Sequence, residues 1–313
     1  MRNAFAQELT RLAGGDWRIV LLSGDIGNRL FDNFKHLFPN RFYNCGVAEA
    51  NMTSMAAGMA MCGLRPVTYT ITSFNTVRCL EQIKIDIAYH HLPVVIVGVG
   101  SGLSYAELGA THHSCEDIAY LRSLPNMQII APADPQEVRL ALRASLSQDH
   151  PVYIRLGKKG EPAIYDQEPP FTIGRGIVMR KGRDVCLLGT GTIMTEVLAA
   201  AEELEKRGVS TQVVDFHTLK PLDEDLLGKI FSEVRVVVTV EEHNLIGGFG
   251  SAVAAWFSAG PAKQAALLCK GIPDQFFCVA GDQQYARQYF DLTAEGIARD
   301  AEKRLKQKDD CRH

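Results

Sequence analysis

The chain has 313 residues, of which 46% are hydrophobic and 22% charged, and it carries a net charge of −3. That length suits two domains of ordinary size, each burying its own core, and the composition is globular rather than disordered. No basic excess marks a nucleic-acid partner, and no run reaches the roughly 18 apolar residues needed to cross a bilayer.

The N-terminal stretch MRNAFAQELTRLAGG mixes charges into a helical pattern and lacks the apolar centre of a signal peptide. Cysteines stand at 45, 62, 79, 115, 186, 269, 278 and 311, with no C-x-x-C pair and mostly in apolar surroundings. Reduced thiols in a cytoplasmic protein are therefore expected, with no metal site in this chain. Helices are predicted over 3–13, 48–62, 75–90, 115–124 and 135–147. Between them fall β-branched runs at Ile19–Ser23, Val67–Ile71, Pro93–Val99, Met127–Ala131 and Val152–Leu156. Such alternation predicts a mostly parallel sheet between two helical layers. Asp134-Pro135 is a helix start, with proline in the first turn.

Residues 158–178 hold three prolines and three glycines and read as a linker. Beyond it the alternation resumes, with strands Asp184–Leu188, Thr211–Phe216 and Val234–Val240 and helices over 193–207, 222–231, 248–258 and 293–307. The fold class is α/β, as two three-layer α/β/α domains over 1–160 and 178–313, the second smaller.

The helix over Val47–Gly63, VAEANMTSMAAGMAMCG, has Glu49 as its one acidic or basic residue and is expected to be buried nearly all round. An isolated buried carboxylate resists ionisation and can donate a hydrogen bond. The alternative is a first-turn acid that favours the helix dipole. The loop Ser101–Ser114, SGLSYAELGATHHS, follows a strand at the end where open α/β sheets bind ligands. His112 there is either a proton shuttle or a solvated residue, and His113 is read as solvated. In TSFNTVR, at 72–78, Phe74 is either a core residue or a ring that stacks on a planar ligand. GTG at 189–191 is read as turn chemistry, and EEHNLIGGFGS at 241–251 as an interface segment.

Taken in order, GVAEANMTSMAAGMA, SGLSYAELGATHHSCEDIAYLRSLPN and VEEHNLIGGFGSAV resemble the C-terminal half of transketolase, from Arg2 to about residue 306. The likeness is greatest to split transketolases, in which this half is a separate subunit. It implies that the first domain binds the pyrimidine of thiamine diphosphate. Glu49 would sit at the pyrimidine N1′, Phe74 would stack on the ring, and His112 would contact the reacting oxygens of the substrate. Arg2 and Lys158 match positions that hold a sugar phosphate, with lysine in place of the family's arginine, so a point charge replaces a bidentate fork. Three positions depart from the family. Ile71 replaces an aromatic, Leu108 an aspartate that recognises the ketose 2-hydroxyl configuration, and Gly100 a substrate-contacting histidine.

The diphosphate-binding half of these enzymes carries G-D-G and a downstream asparagine that hold magnesium and diphosphate, and this chain has no G-D-G. The resemblance therefore implies a partner chain that supplies the magnesium ligands in an α2β2 assembly, and transfer of a two-carbon ketol unit from a ketose phosphate to an aldehyde. The alternatives are the β subunit of a 2-oxo acid dehydrogenase, a 1-deoxyxylulose-phosphate-synthase-like carboligase, or a non-catalytic interaction subunit.

Overall fold

The structure is a computed structural model that describes every residue except 28, 159, 261–263 and 311–313, and leaves out the side chains of 309 and 310. Cys311 thus lies outside the described residues.

In the first half, strands β1 (Ile19–Ser23), β2 (Phe42–Asn44), β3 (Arg65–Ile71), β4 (Val95–Val99), β5 (Gln128–Ile130) and β6 (Val152–Leu156) are all parallel. They lie in the order β5-β6-β4-β3-β1-β2. Helices α1 (Arg2–Gly15), α2 (Asp32–Leu37), α3 (Glu49–Met61), α4 (Thr72–Asn75), α5 (Leu80–Gln82), α6 (Asp117–Arg122) and α7 (Pro135–Leu146) connect them. Strands buried on both faces explain the unbroken apolar runs in the sequence. Alternate residues face opposite layers: Leu21, Val67, Val95 and Val97 pack with α1 and α7, while Val20, Leu22, Val94 and Ile96 pack with α3.

The second half repeats the plan with β7 (Ile177–Arg180), β8 (Val185–Gly189), β9 (Thr211–Asp215), β10 (Thr218–Lys220), β11 (Val236–Asn244) and β12 (Ala266–Ile272). Its sheet runs β12-β11-β8-β9-β7, parallel except for β7 against β9. Helices α8 (Met194–Lys206) and α12 (Ala294–Asp310) line one face, and α9 (Glu224–Glu233) and α10 (Phe249–Ala259) the other, with α11 (Gln283–Tyr289) packed beside α12.

The two halves are fastened together. β10 leaves the second sheet and pairs antiparallel with β5, at the edge of the first. One apolar cluster runs from Met52 and Ile96 through Phe216 to Leu227 and Val253, so the facing layers share a core. The segment expected as a linker is strapped down: Phe171 stacks on His217 at 4.0 Å, and the Tyr165 hydroxyl donates to Asp215 at 2.9 Å.

The single helix expected over 75–90 is broken. Thr76 leaves the helical region at φ −124°, ψ −81°, and the buried Asn75 amide donates to the Val97 carbonyl at 2.9 Å. A 3-10 turn at Val77–Cys79 and a π-turn over Ile83–Ala88 follow. The short elements β2, β7, β10, β12, α2 and α11 were not anticipated from the sequence.

Candidate active site

The carboxyl ends of β1, β3 and β4 open toward α3, α4 and the loop 101–114, the edge at which open α/β sheets bind ligands. Close approach begins at Gly24, just past β1. A Cβ there would stand 2.7 Å from Thr70 Oγ1 and 3.6 Å from Glu49 Oε1. The glycine lets backbone lie against the carboxylate.

Glu49 opens α3 and is 3% exposed. It is not isolated, as the sequence suggested, because Arg78 Nη1 donates to its Oε2 at 2.8 Å. Among the described residues, its Oε1 has no hydrogen bond to another side chain. Nor is α3 buried all round: Asn51, Ser54, Gly58 and Met61 form an exposed stripe at helical spacing, continued by Val47 just before the helix. The apolar composition that predicted full burial is shared between the core face and this stripe.

Phe74, on α4, is half-buried, and its ring carries two neighbours. The Arg78 guanidinium carbon lies 4.1 Å from its centroid, and the His112 ring meets it edge-on at 5.3 Å. Ser73 donates to the Thr111 carbonyl at 3.1 Å, tying α4 to the histidine loop. Glu49, Phe74 and His112 are thereby brought together, with Arg78 between the first two.

His112 is half-buried, its Nδ1 is 2.9 Å from Thr111 Oγ1, and burial, helped by the adjacent His113, lowers its pKa. It enters neutral pH as an uncharged imidazole. The expectation that His113 is solvated is wrong. It is buried, with Nε2 3.1 Å from the Ala106 carbonyl and its ring against Phe277 of the second half.

Lys158 follows β6, pairs with Glu107 and lies 4.9 Å over the Tyr105 ring. The pairing with Lys158 holds the Glu107 carboxyl below its usual range. Arg2 stands near the Tyr69 hydroxyl, and Arg2 Nε and Tyr69 Oη are both buried without a hydrogen bond. Met1 Sδ accepts from Gly157 N at 3.3 Å, so the chain start and the Lys158 loop are neighbours. Both sugar-phosphate candidates therefore lie along one side of the site.

The 241–251 segment works as an internal fastening. Glu242 accepts from Leu103 N at 2.7 Å, Gln283 Nε2 at 2.9 Å and Arg287 Nε at 2.6 Å, pinning the histidine loop to the second half. Glu241 accepts from Phe249 N at 2.6 Å and Gly250 N at 2.7 Å, at the start of α10. At 189–191, Thr190 donates to the Phe216 carbonyl at 2.8 Å and Gly191 takes φ +68°, which is turn chemistry. Among the described residues, no three His, Cys, Asp or Glu cluster closely enough to hold a metal ion.

Sequence reasoning missed Arg78 and Tyr105, and it read Glu242 only as part of an interface segment. Arg78 stands in the TSFNTVR segment, and its contact with Phe74 depends on the break at Thr76 rather than on helical spacing.

Residues 1–161 match the family described as transketolase, pyrimidine binding domain, and residues 174–297 the family described as transketolase, C-terminal domain. The chain belongs to the transketolase family. It is 36% identical over 302 residues to the 6-deoxy-6-sulfo-D-fructose transketolase subunit SqwH of Clostridium sp. (strain MSTE9), covering 96% of this chain and 93% of that one. It is 32% identical to an apulose-4-phosphate transketolase subunit of Phocaeicola vulgatus, covering 96% of each. A solved structure described as a split gene transketolase, inactive beta4 tetramer, superposes with a TM-score of 0.88 at 34% identity and covers 98% of both chains. These relatives correspond to the chain along its length. Among the described residues, no helix is long and apolar enough to cross a membrane.

Proposed function

We propose that this chain is the β-type subunit of a two-chain, thiamine-diphosphate-dependent transketolase that moves a two-carbon ketol unit from a ketose phosphate to an aldehyde. The observation that carries this reading is the convergence of a buried carboxylate, Glu49, with the Phe74 ring and the neutral His112 at the carboxyl edge of the first sheet.

The residues fit an aminopyrimidine. Glu49 leaves Oε1 for a ring nitrogen, Phe74 offers a flat apolar surface, and Gly24 adds no side chain of its own beside Oε1. When bound, thiamine diphosphate supplies the carbanion chemistry that amino-acid side chains lack. Glu49 then holds or shares a proton at the pyrimidine N1′. His112 exchanges a proton with the substrate's reacting oxygen, a role open to an imidazole kept neutral by burial. Arg2 and Lys158 bind the sugar phosphate, and Lys158 must leave Glu107 to do so. Magnesium and diphosphate ligands come from a companion subunit in an α2β2 assembly, since this chain has no G-D-G.

The Clostridium and Phocaeicola relatives act on different sugars according to their names, so the donor and acceptor of this chain are matters for assay. The deciding experiment uses the chain purified with its diphosphate-binding companion. Ketose-phosphate donors are compared with pyruvate, and wild type with Glu49→Gln. Turnover on a ketose phosphate that collapses in Glu49→Gln supports the proposal. Turnover on pyruvate alone, or turnover indifferent to the substitution, defeats it.

A further inference from the structure

Arg78 bridges the two residues assigned to the pyrimidine. It donates to Glu49 Oε2 at 2.8 Å while its guanidinium carbon rests 4.1 Å from the centroid of Phe74. The two contacts make different demands. A hydrogen bond to one carboxylate oxygen fixes the carboxylate's rotation, and stacking of a planar cation on a ring fixes the ring's tilt. The local fold enforces both, because the helix breaks at Thr76 and the following 3-10 turn carries Arg78.

This is no ordinary surface ion pair. Glu49 is 3% exposed and Arg78 43%, so a carboxylate largely removed from water is met by a cation that stays partly in solvent. Arg78 takes only Oε2. The remaining oxygen, Oε1, is the one directed toward Gly24, a position that itself carries no side chain. Arg78 also lines, with Phe74, a cavity of about 600 Å³ that separates the site from Asn244 and Asp274 of the second half. Glu49 does not line that cavity, so only the Arg78–Phe74 side of the bridge faces it.

We infer that Arg78 is a positioning residue of the cofactor site: by holding Glu49 Oε2 and Phe74 together it presents Oε1, and one face of the ring, to the pyrimidine. The inference rests on the proposed roles of Glu49 and Phe74 as pyrimidine contacts. It assigns Arg78 no contact with the substrate.

The test measures thiamine diphosphate binding, in the presence of magnesium, to the chain assembled with its companion, by calorimetry or intrinsic fluorescence. Arg78→Met keeps the length of the stem and removes the cation. It is expected to raise the Kd about tenfold, the factor for losing one hydrogen bond to a charged group. Arg78→Lys keeps Glu49 paired with a cation, which protects folding, but lacks the planar fork. Its Kd is expected to fall between wild type and Arg78→Met, a partial rescue that a purely structural charge would not require. A Kd unchanged in both variants overturns the inference, and so does tighter binding in Arg78→Met, which would make Arg78 an occupant of the ring's place. Glu49→Gln, measured alongside, separates the two levels. If it leaves cofactor binding and turnover intact, the site itself is misassigned. If it abolishes turnover while both Arg78 variants bind normally, only the positioning role is lost.

Discussion

A Cβ built on Gly100 would stand 1.8 Å from Cε2 of Tyr105. The Tyr105 ring fills the room that a side chain at position 100 would need, and its other neighbours are His112 at 6.1 Å and Lys158 at 4.9 Å. The glycine is therefore what admits the Tyr105 ring beside His112 and Lys158. Gly100 also adopts φ +77°, where a Cβ is strained whatever its surroundings. Gly100→Ala should destabilise the chain by about 2–4 kcal/mol, the strain and the overpacking acting together. Adding Tyr105→Ala should recover the overpacking part, so the two substitutions will be non-additive in urea unfolding.

Asp117 is predicted to be costly to remove. It accepts from Arg155 Nε at 2.8 Å and from the Tyr153 hydroxyl at 2.6 Å, and both the carboxylate and the guanidinium are buried. Burial opposes its ionisation, yet Arg155, His243 and the Tyr153 hydroxyl together more than offset this and the carboxyl stays below its usual range. Asp117→Ala leaves a buried cation without its carboxylate, and a loss of about 3–5 kcal/mol is expected in chemical denaturation.

The parallel strands were legible because burial on both faces writes itself as continuous β-branched runs, and Val152–Leu156 was delimited to the residue. The end of α4 was not, because Thr76 and Asn75 break the helix through contacts with the Val97 carbonyl and the α4 backbone that local sequence does not encode. β10 was missed for a similar reason: three residues become a strand only because β5 offers an edge. Glu49, Phe74 and His112 were chosen from chemistry and motif. Arg78, the residue joining the first two, was not, because its contacts depend on the break at Thr76.

Glu242 offers a test of how the second half governs the site. Its carboxylate receives Leu103 N, Gln283 and Arg287, and it borders Gly102, where a Cβ would stand 2.5 Å from Oε1. Glu242→Gln retains an acceptor for Leu103 but weakens the bond from Arg287. The loop carrying His112 should loosen, raising KM for the sugar phosphate several-fold while the Kd for thiamine diphosphate stays unchanged. Equal effects on both constants would show that the loop and the cofactor residues move as one unit.

Stability should fall as pH rises above neutrality, and the reason is a pair of buried acids joining α7 to the end of β9. Glu137 and Asp215 are both 0% exposed. Glu137 Oε2 accepts from Ala133 N at 2.8 Å and Asp215 Oδ2 from the Tyr165 hydroxyl at 2.9 Å, leaving Glu137 Oε1 and Asp215 Oδ1 buried without another partner. Burial first, then the charge of Asp215, raises the Glu137 pKa well above the carboxylate range, and burial pushes Asp215 up to about 7. The folded state thus keeps protons that the unfolded chain releases above about pH 4, so this contribution is full in acid and is lost as pH climbs through neutrality. Burial gives Glu241 the same sign, at about 8. Buried His217 and His243 oppose it, each lowered to about 4 by burial, because the unfolded chain gains protons there below about pH 6.5. Above that point only the acids act. Thermal unfolding from about pH 5 to pH 9 should therefore show Tm declining on the alkaline side. Glu137→Gln, which gives Asp215 a donor that cannot ionise, should flatten that decline from about pH 5 upward. An alkaline slope identical in the variant would mean that the two carboxyls share no proton.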